Sequence, residues 1–321
     1  AIPLLDQSPQ GTWRGWVRYL DGDWSGESEL QNARIAVDGL ADPLLIKYAA
    51  VSLNGTRVAL SRLQAQAGTI SITGSFRREP DAEASEKARP DRFDLKIGEA
   101  DAAELSRLLA PSMVRDAGFL ARTLRLGGNA PLPAWLQALH AEGALTVASL
   151  KAGDVRLNGV QAKVKWNGPV VRLSELSGSS DPAAFSGDLS IDLTTGTPQY
   201  RFDGKVGDIP FKGGKLDLDG SLDAEGDGLS LLESVRAEGT LRGRAIAFAP
   251  DAEFRSVTAH FEMQGGGAAA RWKLSNVEVN QSGESLAGSG ASQADGRMVL
   301  DLTSRGRPLR YTGTLFTATV P

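Results

Sequence analysis

The side chains that most often do chemistry are scarce in this chain, and their spacing is poor. There are two histidines among 321 residues, His140 and His260, and no H-x-x-x-H spacing, so the usual imidazole zinc sites lack their ligands. Cysteine is absent, which removes disulfides, thiol catalysis and thiolate-held metals. Gly283-Glu-Ser285-Leu-Ala287 comes nearest to a nucleophile elbow. It lies between two strand patterns with no helix following, so it reads as a turn. Gly204-Lys205 and Gly214-Lys215 lack the Ser or Thr and the helix that a phosphate loop requires. Lys215-Leu-Asp217-Leu-Asp219-Gly220, with Asp223 and Asp227, offers oxygen ligands of the kind calcium takes. Asp217 and Asp219 alternate with leucines, however, as on the wet face of an ordinary strand. The 39 acidic residues leave glycosidase-type carboxylate pairs open. The inventory points to a protein that is not an enzyme and that needs no metal or cofactor.

The elements that would position these groups are almost all strands. From residue 143 onward, apolar side chains recur two apart and the runs end at Gly, Asn or Asp: Leu145–Val147, Val155–Leu157, Ala162–Trp166, Val171–Leu173 and Leu189–Leu193. Tyr200–Phe202, Leu216–Leu218, Leu274–Val279 and Val299–Leu302 continue the pattern. A period of two sends alternate side chains to opposite faces of a pleated strand. Residues 12–76 read the same way, with Asn54-Gly55 marking a tight hairpin. Residues 77–91 are charged, small and Pro-flanked, the composition of a solvated loop.

The period changes after the strand Phe93–Ile97. Asp101-Ala-Ala-Glu104 has the form of a capping box, and Leu105, Leu108 and Leu109 share a helical face before Pro111, which is expected to end the helix. A second helical segment is expected over roughly 112–125. A short third carries Trp135, Leu136 and Leu139 and stops at Gly143. Leu229–Val235 reads as one or two further helical turns. The expected organisation is an N-terminal β segment (1–98), a helical insert or cap (99–142), and a C-terminal β segment (143–321).

Composition narrows the function classes. The chain is 41% hydrophobic and 23% charged, enough to bury a core, and its 37 glycines read as turns and bulges. A net charge of −4 with Lys and Arg scattered singly argues against nucleic acid. The first residue is not Met, which reads as a processed or excised fragment, and no stretch of about 18 apolar residues suggests a membrane helix. Trp13, Trp16, Trp24, Trp135, Trp166 and Trp272 read as packing or as lining of a lipid or sugar site, with Trp166 the one most readily placed on an inner face.

Certain passages are similar to the AsmA family. The residues that carry the likeness are Ala144–Leu150, Gly153-Asp-Val-Arg-Leu-Asn-Gly-Val160, Ala162–Trp166, Val170–Leu173, Leu176 and Phe185–Leu193, followed by Leu231-Leu232, Val235 and Ala237–Gly243. In the first half, Val37–Leu40, Pro43, Val51–Val58, Ala117–Leu124 and Trp135-Leu136 carry it. The resemblance implies a mainly β fold: an extended antiparallel β-meander curled into a taco-like groove, with a short helical insert near 101–141. It further implies a periplasmic segment of an inner-membrane-anchored, bridge-like lipid transfer protein of the Gram-negative envelope, its N-terminal anchor missing from this piece. The groove would shield phospholipid acyl chains on their way between inner and outer membrane, in outer-membrane biogenesis, with envelope proteins as partners. Its expected lining is Val155, Leu157, Val164, Trp166, Val171, Leu173, Leu189, Ile191, Leu193, Tyr200 and Phe202. The competing expectation is a closed β-sandwich or solenoid serving as an adhesion or carbohydrate-binding module. Aromatic residues at 6% supply light packing and favour the groove.

Overall fold

The computed structural model describes residues 10–78, 89–113, 132–195, 197–226, 231, 233–249, 252–266, 270–293 and 295–314. The chain is mainly β and gathers into two compact units, Ala1–Gly178 with Asp192–Gly196, and Ser179–Ile191 with Thr197–Pro321. This division falls inside the stretch expected from sequence to be one C-terminal segment.

In the first unit β1 (Gln10–Leu20), β2 (Asp23–Ile35), β3 (Leu44–Asn54), β4 (Arg57–Ala67), β5 (Ile70–Arg78) and β6 (Asp91–Asp101) pair successively as antiparallel hairpins. Helices α1 (Ala102–Met113) and α2 (Ala134–Gln137) follow, and β7 (His140–Ala152) then pairs with β6 in parallel, Phe93 opposite Gly143. The meander expected from sequence is therefore interrupted here. A parallel neighbour needs a crossover of a dozen or more residues, and the helical insert is that crossover. β8 (Val155–Asn167) returns antiparallel to β7, and β9 (Val170–Ser180) lies beside β8.

Helix α1 starts as its sequence dictates and ends later. The Asp101 carboxylate accepts from the Ala103 backbone N–H at 2.8 Å, the expected N-cap. Glu104 does not reach back to close the capping box. It accepts from the Thr69 N–H at 3.2 Å and from Arg107, whose guanidinium also holds Asp42. Pro111 lies inside the helix rather than ending it. So near the C-terminus it costs little of the ladder, and the Ser112 hydroxyl anchors that turn by donating to Gly39 O at 2.7 Å. Leu108 is 3% exposed and packs with Ala67, Ile70, Ala100 and Val147. The helix expected over 112–125 lies beyond residue 113 outside the described residues, as does most of the loop expected at 77–91. Gly143 sits within β7 and does not terminate a helix.

The second unit is a run of hairpins: β10 (Ala183–Asp192), β11 (Gln199–Phe211), β12 (Gly214–Glu225), β13 (Arg236–Ala249), β14 (Ala252–Gln264), β15 (Arg271–Gln281), β16 (Glu284–Ser292), β17 (Arg297–Ser304) and β18 (Arg307–Thr314). From β11 to β18 each strand pairs antiparallel with the next. Between β12 and β13, Leu231 and Glu233–Ser234 are helical, as the sequence suggested. The core spans β13 to β17 with Ile246, Phe248, Phe254, Phe261, Val277, Val279, Leu286, Met298 and Leu302 all buried.

The strands run from 8 to 14 residues, longer than the alternating runs in the sequence. The reason is a set of bulges. Asn32, Arg62, Glu175, Asp208, Ala245 and Asn276 sit inside strands at φ between 50° and 55°. Register slips beside four of them: at Gln10/Thr12 opposite Asn32, Leu60/Leu63, Val206/Ile209 and Leu274/Val277. One extra residue swaps which parity faces inward, so β4 buries Val58 and Leu60, then Leu63, Ala65 and Ala67. A long strand with a bulge therefore reads in sequence as two short ones.

Candidate functional site

In the second unit the face shared by β10–β13 is built from apolar side chains and glycine. Register aligns Phe202 with Leu222 and Ala237, Gly204 with Gly220 and Gly239, and Val206 with Leu218 and Leu241. On β10 the same parity is Phe185, Gly187, Leu189 and Ile191. A Cβ on Gly187 would lie 2.7 Å from the Gly204 Cα, which fixes the two as neighbours. Among the described residues of these four strands up to their bulges, no charged side chain has this parity.

The opposite face carries the charges, and they pair across strands. Lys205 meets Asp219 at 3.1 Å, Arg201 meets Asp223 at 3.6 Å, and Arg244 meets Asp217 at 3.0 Å. The carboxylates of the calcium-like run thus face cations, Asp227 lying outside the described residues. Lys215 bonds Asp208 at 2.8 Å and holds its carboxyl below the usual range. These pairs are about half exposed, so water screens them and they add little to stability. Their main effect is to keep this face wet and the other face free of charge.

Burial grades along the apolar face. From β10 to β12 its residues are half-buried: Phe185, Leu189, Ile191, Tyr200, Phe202, Val206, Leu216, Leu218 and Leu222. From β13 to β17 the facing residues become core, with Phe254 at 1% and Val277 at 0% exposure. The core forms because the sheet curls: a Cβ on Gly313 of β18 would lie 2.5 Å from Phe248 O of β13. Phe211, Leu216 and Leu218 reach the edge of this core, whereas Phe185, Leu189, Ile191, Phe202 and Leu222 lie half-buried beyond it. A cleft of about 450 Å³ lies nearby at the ends of β11–β14. Its lining joins polar Asp223, Glu225, Glu233, Ser234 and Arg236 to Tyr200, Ala224 and Val235, so it opens at the strand ends and not along the apolar face.

The lining expected from sequence divides between the units. Leu189, Ile191, Tyr200 and Phe202 lie together on the half-buried face just described. In the first unit Leu157 pairs with Leu150, and Val164 pairs with Gly143. Val164 and Val171 are each 8% exposed, and Leu193 is 4% exposed with its N–H donating to Pro169 O at 2.9 Å. Trp166 and Leu173 are half-buried, and the Trp166 indole N–H donates to Gly168 O at 2.8 Å. Val155, 50% exposed next to the β7–β8 turn, lines nothing.

Sequence reasoning missed the glycines. Gly187, Gly204, Gly220 and Gly239 are neither turns nor bulges; they lie mid-strand on the apolar face. Their signal is legible in retrospect as apolar-x-Gly-x-apolar, four times: Phe185/Leu189, Phe202/Val206, Leu218/Leu222 and Ala237/Leu241 flank them in turn. Neither histidine lies on the half-buried face: His140 opens β7 opposite Asn167, and His260 is exposed on β14. No family model, curated protein or solved structure matches the chain.

Proposed function

We propose that this chain is a non-enzymatic lipid-binding segment whose half-buried apolar face shields phospholipid acyl chains, as in an AsmA-like conduit of the periplasm. The observation that carries the reading is the face of β10–β12, apolar along its length, uncharged, and short of the burial that a packed core reaches in β13–β17. Apolar side chains gathered on one uncharged face and left half-buried can gain further burial from an apolar ligand. On this reading the parent protein is anchored in the inner membrane and works with outer-membrane or other envelope proteins.

The packed core of β13–β18 is what a closed adhesion or carbohydrate-binding module would contain, and it keeps that alternative in play for those strands alone. Native mass spectrometry of the purified chain separates the two readings, together with binding of a fluorescent phospholipid. Phospholipid should co-purify, and fluorescence should rise on mixing. A lipid-free protein with no fluorescence response, but which binds glycans, would replace the lipid reading with the closed module.

A further inference from the structure

The four glycines of the apolar face form one continuous row. Register carries it through Gly204, Gly220 and Gly239 to Phe261 of β14, and Gly187 extends it at the other end. A row across four strands has three inter-strand spacings, roughly 14 Å of floor without side chains. The glycines are obligatory. A Cβ on Gly220 would lie 2.0 Å from Glu238 O, and one on Gly239 would lie 2.3 Å from Asp219 O. The strands press together along this line, so no other residue can fill it.

Larger side chains bound the row on both sides, Leu189, Phe202 and Leu222 along one and Phe185, Val206, Leu218 and Leu241 along the other. Phe261, 4% exposed and set against Trp272 at a ring separation of 5.7 Å, closes it at β14. The ring of Phe202 covers the Gly187–Gly204 half of this floor, with atoms 2.9 and 2.6 Å from their Cβ positions, so that half is open only when the ring swings aside.

Resting on the reading above, we propose that this glycine row is a blind track for a single acyl chain, laid across β10–β13 with its methyl end against Phe261 and its entry controlled by the Phe202 ring. The choice of occupant follows from charge and width. Every charged side chain of β10–β13 before the bulges lies on the other face, so the track offers nothing to an ionic or polar group. It is one side-chain row wide, too narrow for a helix of about 10–12 Å diameter or for a second sheet, which packs about 10 Å away. A polymethylene chain matches both constraints.

The test is photo-crosslinking of the full chain with phosphatidylcholine vesicles that carry a diazirine near the methyl end of one acyl chain, mapped by mass spectrometry. Methyl-end labelling should concentrate on Leu241 and Phe261, and a diazirine near the ester should label Phe185 and Leu189 instead. Leu218→Trp, which narrows the track, should cut labelling at Phe261 about tenfold, a loss of roughly 1.4 kcal/mol, while a cooperative melt is retained. Phe202→Ala should raise it, and serves as the second variant if the bulkier residue disturbs folding. Methyl-end labels spread over Phe93, Leu95 or Leu145 with β10–β13 unlabelled would overturn the track and leave lipid binding standing. No labelling anywhere would overturn both. A dimer in solution whose formation abolishes labelling would give the row to a second copy and also overturn the proposal.

Discussion

Phe254 on β14 and Tyr311 on β18 meet edge to face, their ring centres 5.5 Å apart, although three strands of the ladder separate them. Phe248 stacks on the other side of Phe254 at 5.7 Å, and the Tyr311 hydroxyl donates to the Gln281 side chain at 2.9 Å. This contact holds the curl of the second unit. Phe254→Ala should destabilise that unit by about 3–5 kcal/mol, the range for large aromatic deletions in a core. Phe202→Ala, on the half-buried face, should cost clearly less. Chemical denaturation of both variants measures the difference, and equal losses would mean that β10–β12 are packed as tightly as β13–β18.

Carboxylates on the apolar face report the same contrast. Val164→Asp places a charge at a position 8% exposed with no partner, so it should destabilise its unit by several kcal/mol. Ile191→Asp enters a half-buried position where hydration is partly kept, so the variant should fold and retain less phospholipid. Charge reversal at Lys163, Lys165 or Asp192 should change neither property. Thermal melts beside fluorescent-lipid titrations decide, and an Ile191→Asp variant that fails to fold would favour the closed module.

The anchoring of α1 should depend on acid. Hydrogen bonds from Arg107, then from the Thr69 backbone, hold the Glu104 carboxyl down to about 2. Because the folded value lies below the unfolded one, the contribution is complete above the ordinary carboxylate range and is lost as pH falls toward 2. Hydrogen exchange of the α1 amides should therefore accelerate over that interval. In Glu104→Gln the acid-dependent step should vanish, and its persistence would assign the step to another group.

Gly143 belongs to the parallel pair, and a Cβ there would lie 1.9 Å from Phe93 O. Gly143→Ala should cost about 1–3 kcal/mol by forcing β6 and β7 apart. Gly153→Ala is the control, since nothing lies within 4 Å of its Cβ and only the φ of 61° resists it. Calorimetry should rank Gly143→Ala as the more damaging of the two.

Residues 79–88 should be dispensable. Arg77 pairs with Arg92 and Arg78 reaches Asp91 at 3.5 Å, so the hairpin ends already meet. Replacement by a short Gly-Ser turn should leave melting and lipid retention unchanged, and loss of a cooperative transition would refute this.

The mainly β class, the Asn54-Gly55 hairpin and the helix start at Asp101 were legible because each rests on a local rule of period, turn or cap. Strand length was not, since a bulge such as Arg62 or Asn276 inverts parity and hides continuity. The parallel partnership of β6 and β7 was hidden too, because no local signal states which strand a crossover returns beside. Of the candidate site, the alternation showed the apolar side chains Leu189, Ile191, Tyr200 and Phe202. It could not show the row at Gly187, Gly204, Gly220 and Gly239, because alignment between strands depends on register, which a single strand does not encode.

The parallel pair also keeps the bulges in step. In the first unit Asn32 and Arg62 lie on even-numbered strands, whereas Glu175, beyond the crossover, lies on the odd-numbered β9. An uninterrupted meander would make β9 run opposite to β2 and β4. The crossover adds one reversal, so all three bulged strands point the same way. A bulge adds right-handed twist to its strand, and bulges kept on strands of one polarity let their bends accumulate. The helical insert is in this sense a phase shifter. Such a sheet can gain or lose whole hairpins freely, but a lone strand only together with another crossover.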